Sequence, residues 1–253
     1  QLACLLEASA PKPGNVSPGR HFTDTRYEDF LASAAAVGGP LAGAGARPLG
    51  ATVRLAIEAT RRWTGSNTNL GIVLLLTPLA RAALRADAAR RLGRAVGDSS
   101  PESRAPNPES RVPNPEPLRA ALRQVLDETT VEDTRDVYVA IRMASPGGLG
   151  QADAQDVAGE PDVTLLAAMQ LAAHRDGIAR EYATAFEVTF ETGVPALEQG
   201  RRDSLSWDDA VVETFLRVLA ANPDTHVVRR AGGAAAAEVS ERARRTLAAG
   251  GVR

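Results

Sequence analysis

The chain reads as a succession of apolar stripes at helical spacing, cut by short polar segments rich in glycine and proline. Tyr27, Phe30, Leu31 and Ala34 recur at three- and four-residue intervals behind Thr25-Arg26-Tyr27-Glu28, which has the form of a capping box. Val53, Ala56, Ile57, Thr60 and Trp63 repeat the pattern. So do Leu118, Ala121, Leu122, Val125 and Leu126, with Pro117 suited to a first helical position. Ile178, Tyr182, Phe186 and Phe190 predict one continuous stripe, ended by Gly193 and Pro195. Ser206 is placed to cap a helix carrying Val211, Phe215, Val218 and Leu219, and a final helix is predicted over about 234–249. Val137, Val139 and Ile141 alternate as a strand would, but their segment also fits a helix. Alternating strand–helix units are absent, so the fold class predicted is all-α, a multi-helix bundle.

One stretch breaks the pattern. In residues 98–117 the sequence Pro-Glu-Ser-Arg occurs twice, each time followed by Ala or Val and then Pro-Asn-Pro-Glu. Proline at this density excludes helix and strand, and apolar periodicity is lacking. The stretch predicts a flexible surface insertion within a single domain covering residues 1–253. A linker between two domains would demand a separate core on each side, whereas the motifs below fall on both sides.

Composition narrows the function classes. With 29 basic and 31 acidic side chains the formal charge is -2, which argues against a dedicated nucleic-acid binder. A single cysteine, Cys4, forms neither an internal disulfide nor a zinc cluster and suits a reducing cytoplasm; in its apolar helix it reads as core. The longest apolar run, Leu70 to Ala80, falls short of the ~20 residues of a spanning helix, and no secretion signal is evident. Among the 29 cations only Lys12 is a lysine. Arginine enrichment alone does not account for its survival there.

The polar segments hold the candidate chemistry. In Ser9-Ala-Pro-Lys-Pro-Gly-Asn-Val-Ser-Pro-Gly-Arg-His-Phe-Thr-Asp24, two prolines clamp Lys12, a point charge suited to phosphate, and Gly14 permits a sharp turn. Thr64-Gly65-Ser66-Asn67-Thr68-Asn69-Leu70-Gly71 opens an apolar helix whose first N–H groups attract anions. Such a helix end contributes roughly 0.3–1 kcal/mol per anionic contact. Holding a nucleotide at ~0.1 mM takes about 5–6 kcal/mol, so the cap assists binding without sufficing for it. Ser145-Pro-Gly-Gly-Leu-Gly150, followed by Asp153 and Asp156, offers backbone donors for phosphate and carboxylates for Mg²⁺, though the Lys-Ser/Thr of a P-loop is missing. In Asn222-Pro-Asp224-Thr-His226-Val-Val-Arg229-Arg230-Ala-Gly232-Gly, Asp224 can cap a helix and the arginines can neutralise phosphate. His174, beside Arg175 and Asp176, reads as structural or exposed. His21 and His226 lie in polar segments but have no partner at metal-ligand spacing. Each segment alone is equally an ordinary turn or cap.

In order, however, they resemble one family. Glu7-x-Ser9-x-Pro11-Lys12-Pro13-Gly14-x-Val16 with Gly19-x-His21-x-x-Asp24, then Gly65-x-Asn67-Thr68-x-x-Gly71, then Asp224-Thr225-x-x-x-x-Arg230-x-Gly232 are similar to blocks of the triphosphoribosyl-dephospho-CoA synthases. The resemblance implies an all-α transferase with a loop-lined nucleotide pocket. Its chemistry moves the 5-triphosphoribosyl group of ATP to the 2′-hydroxyl of 3′-dephospho-CoA, or a related cofactor acceptor, and releases adenine. It further implies that Lys12, Gly14, Asn67, Thr68, Asn69, Gly71, Arg229 and Arg230 bind the nucleotide. Asp153, Asp156 and Asp224 would hold Mg²⁺, and Glu7, His21 and Asp24 are candidates for acid–base work at the anomeric carbon. ATP and a dephospho-CoA-like acceptor are then its partners, with no nucleic acid or membrane involved. Members tied to citrate lyase read Asn-Thr-His-Lys-Gly at the second block, where this chain has Asn67-Thr68-Asn69-Leu70-Gly71. A charge is replaced by an apolar side chain, which keeps open both another acceptor and a non-catalytic ATP-binding helical protein, a sensor or assembly partner.

Overall fold

The computed structural model describes residues 1–96 and 115–252. In chain order its α-helices are α1 (Leu2–Ser9), α2 (Tyr27–Ala36), α3 (Gly38–Ala42), α4 (Leu49–Arg61), α5 (Leu70–Val96), α6 (Glu116–Asp127) and α7 (Val131–Ala144). They continue with α8 (Leu165–Ala172), α9 (Gly177–Ala183), α10 (Val194–Arg202), α11 (Trp207–Ala221), α12 (Thr225–Ala231) and α13 (Gly233–Ala248). The described residues contain no strand, only an isolated bridge between Ser17 and Arg20. The fold is all-α, and the alternation of Val137, Val139 and Ile141 lies within α7.

The main core forms where α4, α5, α6 and α7 meet, with Val53, Ile57, Val73, Leu122, Leu126 and Val137 at its centre. The pairing of α4 with α7 is fixed by one buried carboxylate. Asp133 closes the N-terminus of α7 by accepting from the Thr130 N–H and hydroxyl at 2.9 Å, and its other oxygen accepts the Gly50 N–H at 2.7 Å. Only glycine fits opposite it, because a Cβ on Gly50 would lie 2.4 Å from the Asp133 carbonyl oxygen.

Pro78 sits inside α5. It has no N–H, so the carbonyl four residues earlier, that of Leu74, loses its helical partner. The hydroxyl of the fully buried Tyr182 in α9 donates to that carbonyl at 2.7 Å. Burial pushes the Tyr182 hydroxyl strongly up from its ordinary pKa, so it stays a donor across the accessible pH range. α9 is thereby fastened to α5 at the point where α5 lacks a bond.

Several sequence expectations need correction. The first turn of α2 is closed one residue later than expected: the Asp29 carboxylate accepts the Arg26 N–H at 2.8 Å, in place of a Thr25–Glu28 box. Trp63 lies beyond α4 and is 73% exposed, off the predicted stripe. The Ile178–Phe190 stripe is broken, because Ala185 and Phe186 take positive φ of 50° and 62°. The buried Glu181 makes this break possible by accepting the N–H groups of Val188 and Thr189, which restart the chain as a π-helical turn over Thr189–Gly193. Pro195 then begins α10 instead of ending a helix. Ser206 caps α11 as expected, through the Asp209 N–H at 3.1 Å. Of the proline-rich stretch, residues 98–114 lie outside the described residues, and Glu116 and Pro117 already belong to α6. A smaller apolar cluster, centred on Leu216, Leu219 and Ala243, joins α11 to α13.

Two stability outcomes follow. Gly50→Ala forces backbone apart at the α4–α7 crossing and should cost about 1–3 kcal/mol or more in urea denaturation. Tyr182→Phe should cost about 1–3 kcal/mol by orphaning the Leu74 carbonyl, and the cost should shrink in a Pro78→Ala background, where the alanine introduced supplies its own N–H.

Candidate active site

The prolines and Gly14 (φ 81°) fold the first polar segment back onto α1. Lys12 is carried inward until it is 3% exposed, where a bare ammonium would be costly. Its Nζ lies 2.9 Å from a Glu7 carboxylate oxygen and also donates to the Glu7 backbone carbonyl. The lysine that the sequence suits to phosphate is thus enclosed and ion-paired in this arrangement. It is an internal counter-charge for Glu7, whose side chain remains 39% exposed.

Asn67 accepts the Leu70 N–H at 3.2 Å and so caps α5. The N–H groups of Gly71 and Ile72, in the same first turn, have no intrahelical acceptor. Thr68 and Asn69 are held from behind: the Thr68 hydroxyl pairs with Ser33, and the Asn69 amide donates to the Thr60 hydroxyl at 2.9 Å. Asp224 accepts the N–H groups of His226 and Val227 and starts α12, which places His226 one residue inside that helix.

These elements enclose an open crevice of about 400 Å³, lined by Glu7 of α1, Asn15 of the first segment, Asn67 to Ile72 at the start of α5, Phe30 of α2, and His226 of the fourth segment. Four of the predicted ligands (Asn67, Thr68, Asn69 and Gly71) and Glu7 of the predicted acid–base set thus share one surface. Gly71 also lets α9 approach closely, since a Cβ there would lie 3.2 Å from the Ile178 side chain.

The remaining candidates lie elsewhere. Gly14 makes a turn outside the lining. His21 and Asp24 are exposed and outside it as well; Asp24 meets the second segment only through its backbone carbonyl, which accepts from Ser66 at 2.6 Å. Arg229 is paired with Asp176 at 2.6 Å, and Arg230 is exposed beside Gly148. Asp153, Asp156 and Asp224 do not converge: among the described residues no group of three or more metal-ligating side chains occurs. Both oxygens of Asp156 accept backbone N–H groups, from Ala152 at 2.6 Å and Ala158 at 2.8 Å, and Asp224 is engaged as a cap. Asn15, Phe30 and His226 are crevice residues outside the predicted site set. The first belongs to the Pro-Lys-Pro-Gly-Asn turn and the last to a segment already singled out, whereas Phe30 gave no signal beyond its place on a helical stripe.

The Asp156 hydrogen bonds, that to Ala158 foremost, hold its carboxyl below the usual aspartate range. The linkage sign is that of a depressed acid. Its contribution is complete above the unfolded pKa of about 3.9 and is lost as pH falls through the lower folded value. Hydrogen exchange of residues 150–158 should accelerate on acidification through that window, and Asp156→Asn should remove the dependence.

Comparison with known proteins points to one family. The model of the family described as CitG, ATP:dephospho-CoA triphosphoribosyl transferase, matches residues 1–253. A crystal structure of a proposed triphosphoribosyl-dephospho-CoA synthase from Archaeoglobus fulgidus is similar at a TM-score of 0.62 and 25% identity, covering 87% of this chain and 82% of that one. No curated protein matches the chain. No described helix is long and apolar enough to cross a membrane. A family match over the whole length, and a related structure over most of it, show that the chain belongs to the ATP:dephospho-CoA triphosphoribosyl transferases.

Proposed function

We propose that the crevice between α1, α2, the start of α5 and α12 binds ATP and is where its triphosphoribosyl group moves to the 2′-hydroxyl of dephospho-CoA, releasing adenine. The observation that carries this reading is the convergence on one crevice of residues as far apart in sequence as Glu7, Asn67 and His226. The N–H groups of Gly71 and Ile72, next to the Leu70 N–H that Asn67 caps, offer donors to a polyphosphate at the positive end of α5. Glu7 is the general base. Its carboxylate takes the proton of the attacking hydroxyl, and the buried Lys12 fixes where that carboxylate sits. His226 gives a proton to the departing adenine. The transition state is oxocarbenium-like at the anomeric carbon, so its positive charge develops near an anionic side chain.

Mg²⁺ enters with the triphosphate as part of the substrate. Such ions are held largely by phosphates and water, with one or two carboxylates, and a protein cage of three carboxylates is not needed. Residues 1–253 act as one domain, because α5 before the proline-rich stretch and α12 after it border the same crevice. A cytoplasmic location suits the ATP substrate and the lone buried thiol of Cys4.

Purified protein given ATP, Mg²⁺ and dephospho-CoA should release adenine, followed by chromatography. Glu7→Gln should lower kcat by roughly 10²–10⁴. It also removes the counter-charge of Lys12, so the folded fraction must be followed by circular dichroism. Glu7→Ala partly rescued by formate separates a lost base from a lost fold. Asn67→Ala should raise the KM for ATP. Absence of adenine release by the wild-type chain overturns the reading.

A further inference from the structure

A second cavity, of about 290 Å³, lies behind the first turn of α5, at the lower end of the range for small-molecule sites. Leu74, Val137, Ile141, Leu165, Met169 and Ile178 give it an apolar interior. The segment from Pro146 to Val157 covers it. That segment is held at Asp156 and by the Tyr138 hydroxyl, which donates to the Gln155 carbonyl. Gln155 takes a positive φ of 52°, and its side-chain oxygen is buried without a hydrogen-bond partner. The charged lining residues are Asp156, Arg175, Asp176 and Arg229, the last two ion-paired.

This cavity and the crevice are neighbours in three ways. Leu70 lines both. Gly71 of the crevice packs against Ile178 of the cavity. His226 in the crevice and Arg229 in the cavity stand three residues apart on α12, and α12 is tied to α9 by the Gly177 N–H donating to Thr225 at 3.1 Å. Along α12 the chemistry passes from Arg229 of the cavity, whose interior is apolar, to His226 of the crevice. Dephospho-CoA has the same order: a pantetheine arm, a diphosphate, then the ribose that carries the reacting hydroxyl.

We propose that the cavity under residues 146–157 is the acceptor subsite, taking the pantetheine arm of dephospho-CoA with its diphosphate at Arg175 and Arg229. The assignment rests on reading the crevice as the ATP site. Leu70, the shared wall, faces the junction with a side chain that excludes water from the apolar side without attracting the diphosphate away from the arginines.

Calorimetry on the full chain tests this with dephospho-CoA and with ADP-ribose, which keeps the adenosine diphosphate and lacks the arm. Ala168→Phe fills the cavity, and Leu149→Asp places a charge at its rim from a residue 46% exposed, where folding is not at risk. Both variants should bind dephospho-CoA at least tenfold more weakly while ATP and ADP-ribose binding stay within about twofold. The proposal is overturned if Leu149→Asp binds dephospho-CoA as the wild type does, if ADP-ribose binding falls equally, or if the wild type binds no dephospho-CoA. Dephospho-CoA binding that depends on the cavity, with no adenine released from ATP, would instead overturn the crevice reading and leave the subsite standing.

Discussion

A proline inside a long helix creates the constraint on which the ligand-facing half of this protein depends. Pro78 leaves the Leu74 carbonyl without its helical donor, and an unpaired buried carbonyl is costly. The Tyr182 hydroxyl makes up the loss, so α9 has one favourable position against α5. The first turn of α5 then lies between the crevice and the apolar cavity, with α9 behind it. Through the Gly177–Thr225 hydrogen bond the same arrangement reaches α12 and sets where His226 and Arg229 stand. A bond between two core helices thus determines the relation of two cavities that neither Tyr182 nor Pro78 touches.

The Glu7–Lys12 pair shows how burial redefines a residue's work. A lysine exposed on a stiff loop is a mobile cation that meets phosphate as one point charge among many. Enclosed beside a carboxylate, it is held against its partner by the ion pair and by its bond to the Glu7 carbonyl. The pair is internal on the lysine side and solvated on the glutamate side. Only the anion is presented to the crevice. On the proposed reading of the crevice, positive charge for the triphosphate comes from the helix end, from ions arriving with the substrate and from arginines further along the surface.

The fold was largely legible in the sequence because apolar spacing is local. The stripes of α6 and α11 are carried by residues three and four apart, and the segment of Val137, Val139 and Ile141, which fitted a helix as well as a strand, lies within α7. What was illegible is what depends on distant partners. Phe186 sits in phase with Ile178 and Tyr182, yet the chain leaves the helix there because Glu181 offers acceptors that outweigh two left-handed residues. At the site, motif order predicted that Glu7 and the Asn67–Gly71 turn would meet. It could not show that Lys12 turns inward, that Asp156 and Asp224 are engaged by backbone, or that His21 and Asp24 stay outside the lining while His226 enters it. Each of those outcomes is decided by hydrogen bonds to atoms that carry no sequence signature.

Leu70 touches both chambers, and this ties their histories together. On the proposed assignment of the two chambers, a mutation there resizes the donor side and the acceptor side in one step, so adaptation to a new acceptor passes through altered handling of the donor. Epistasis between the two walls is built into the geometry. Lineages that diverge in acceptor choice should carry their earliest compensating changes around this one position.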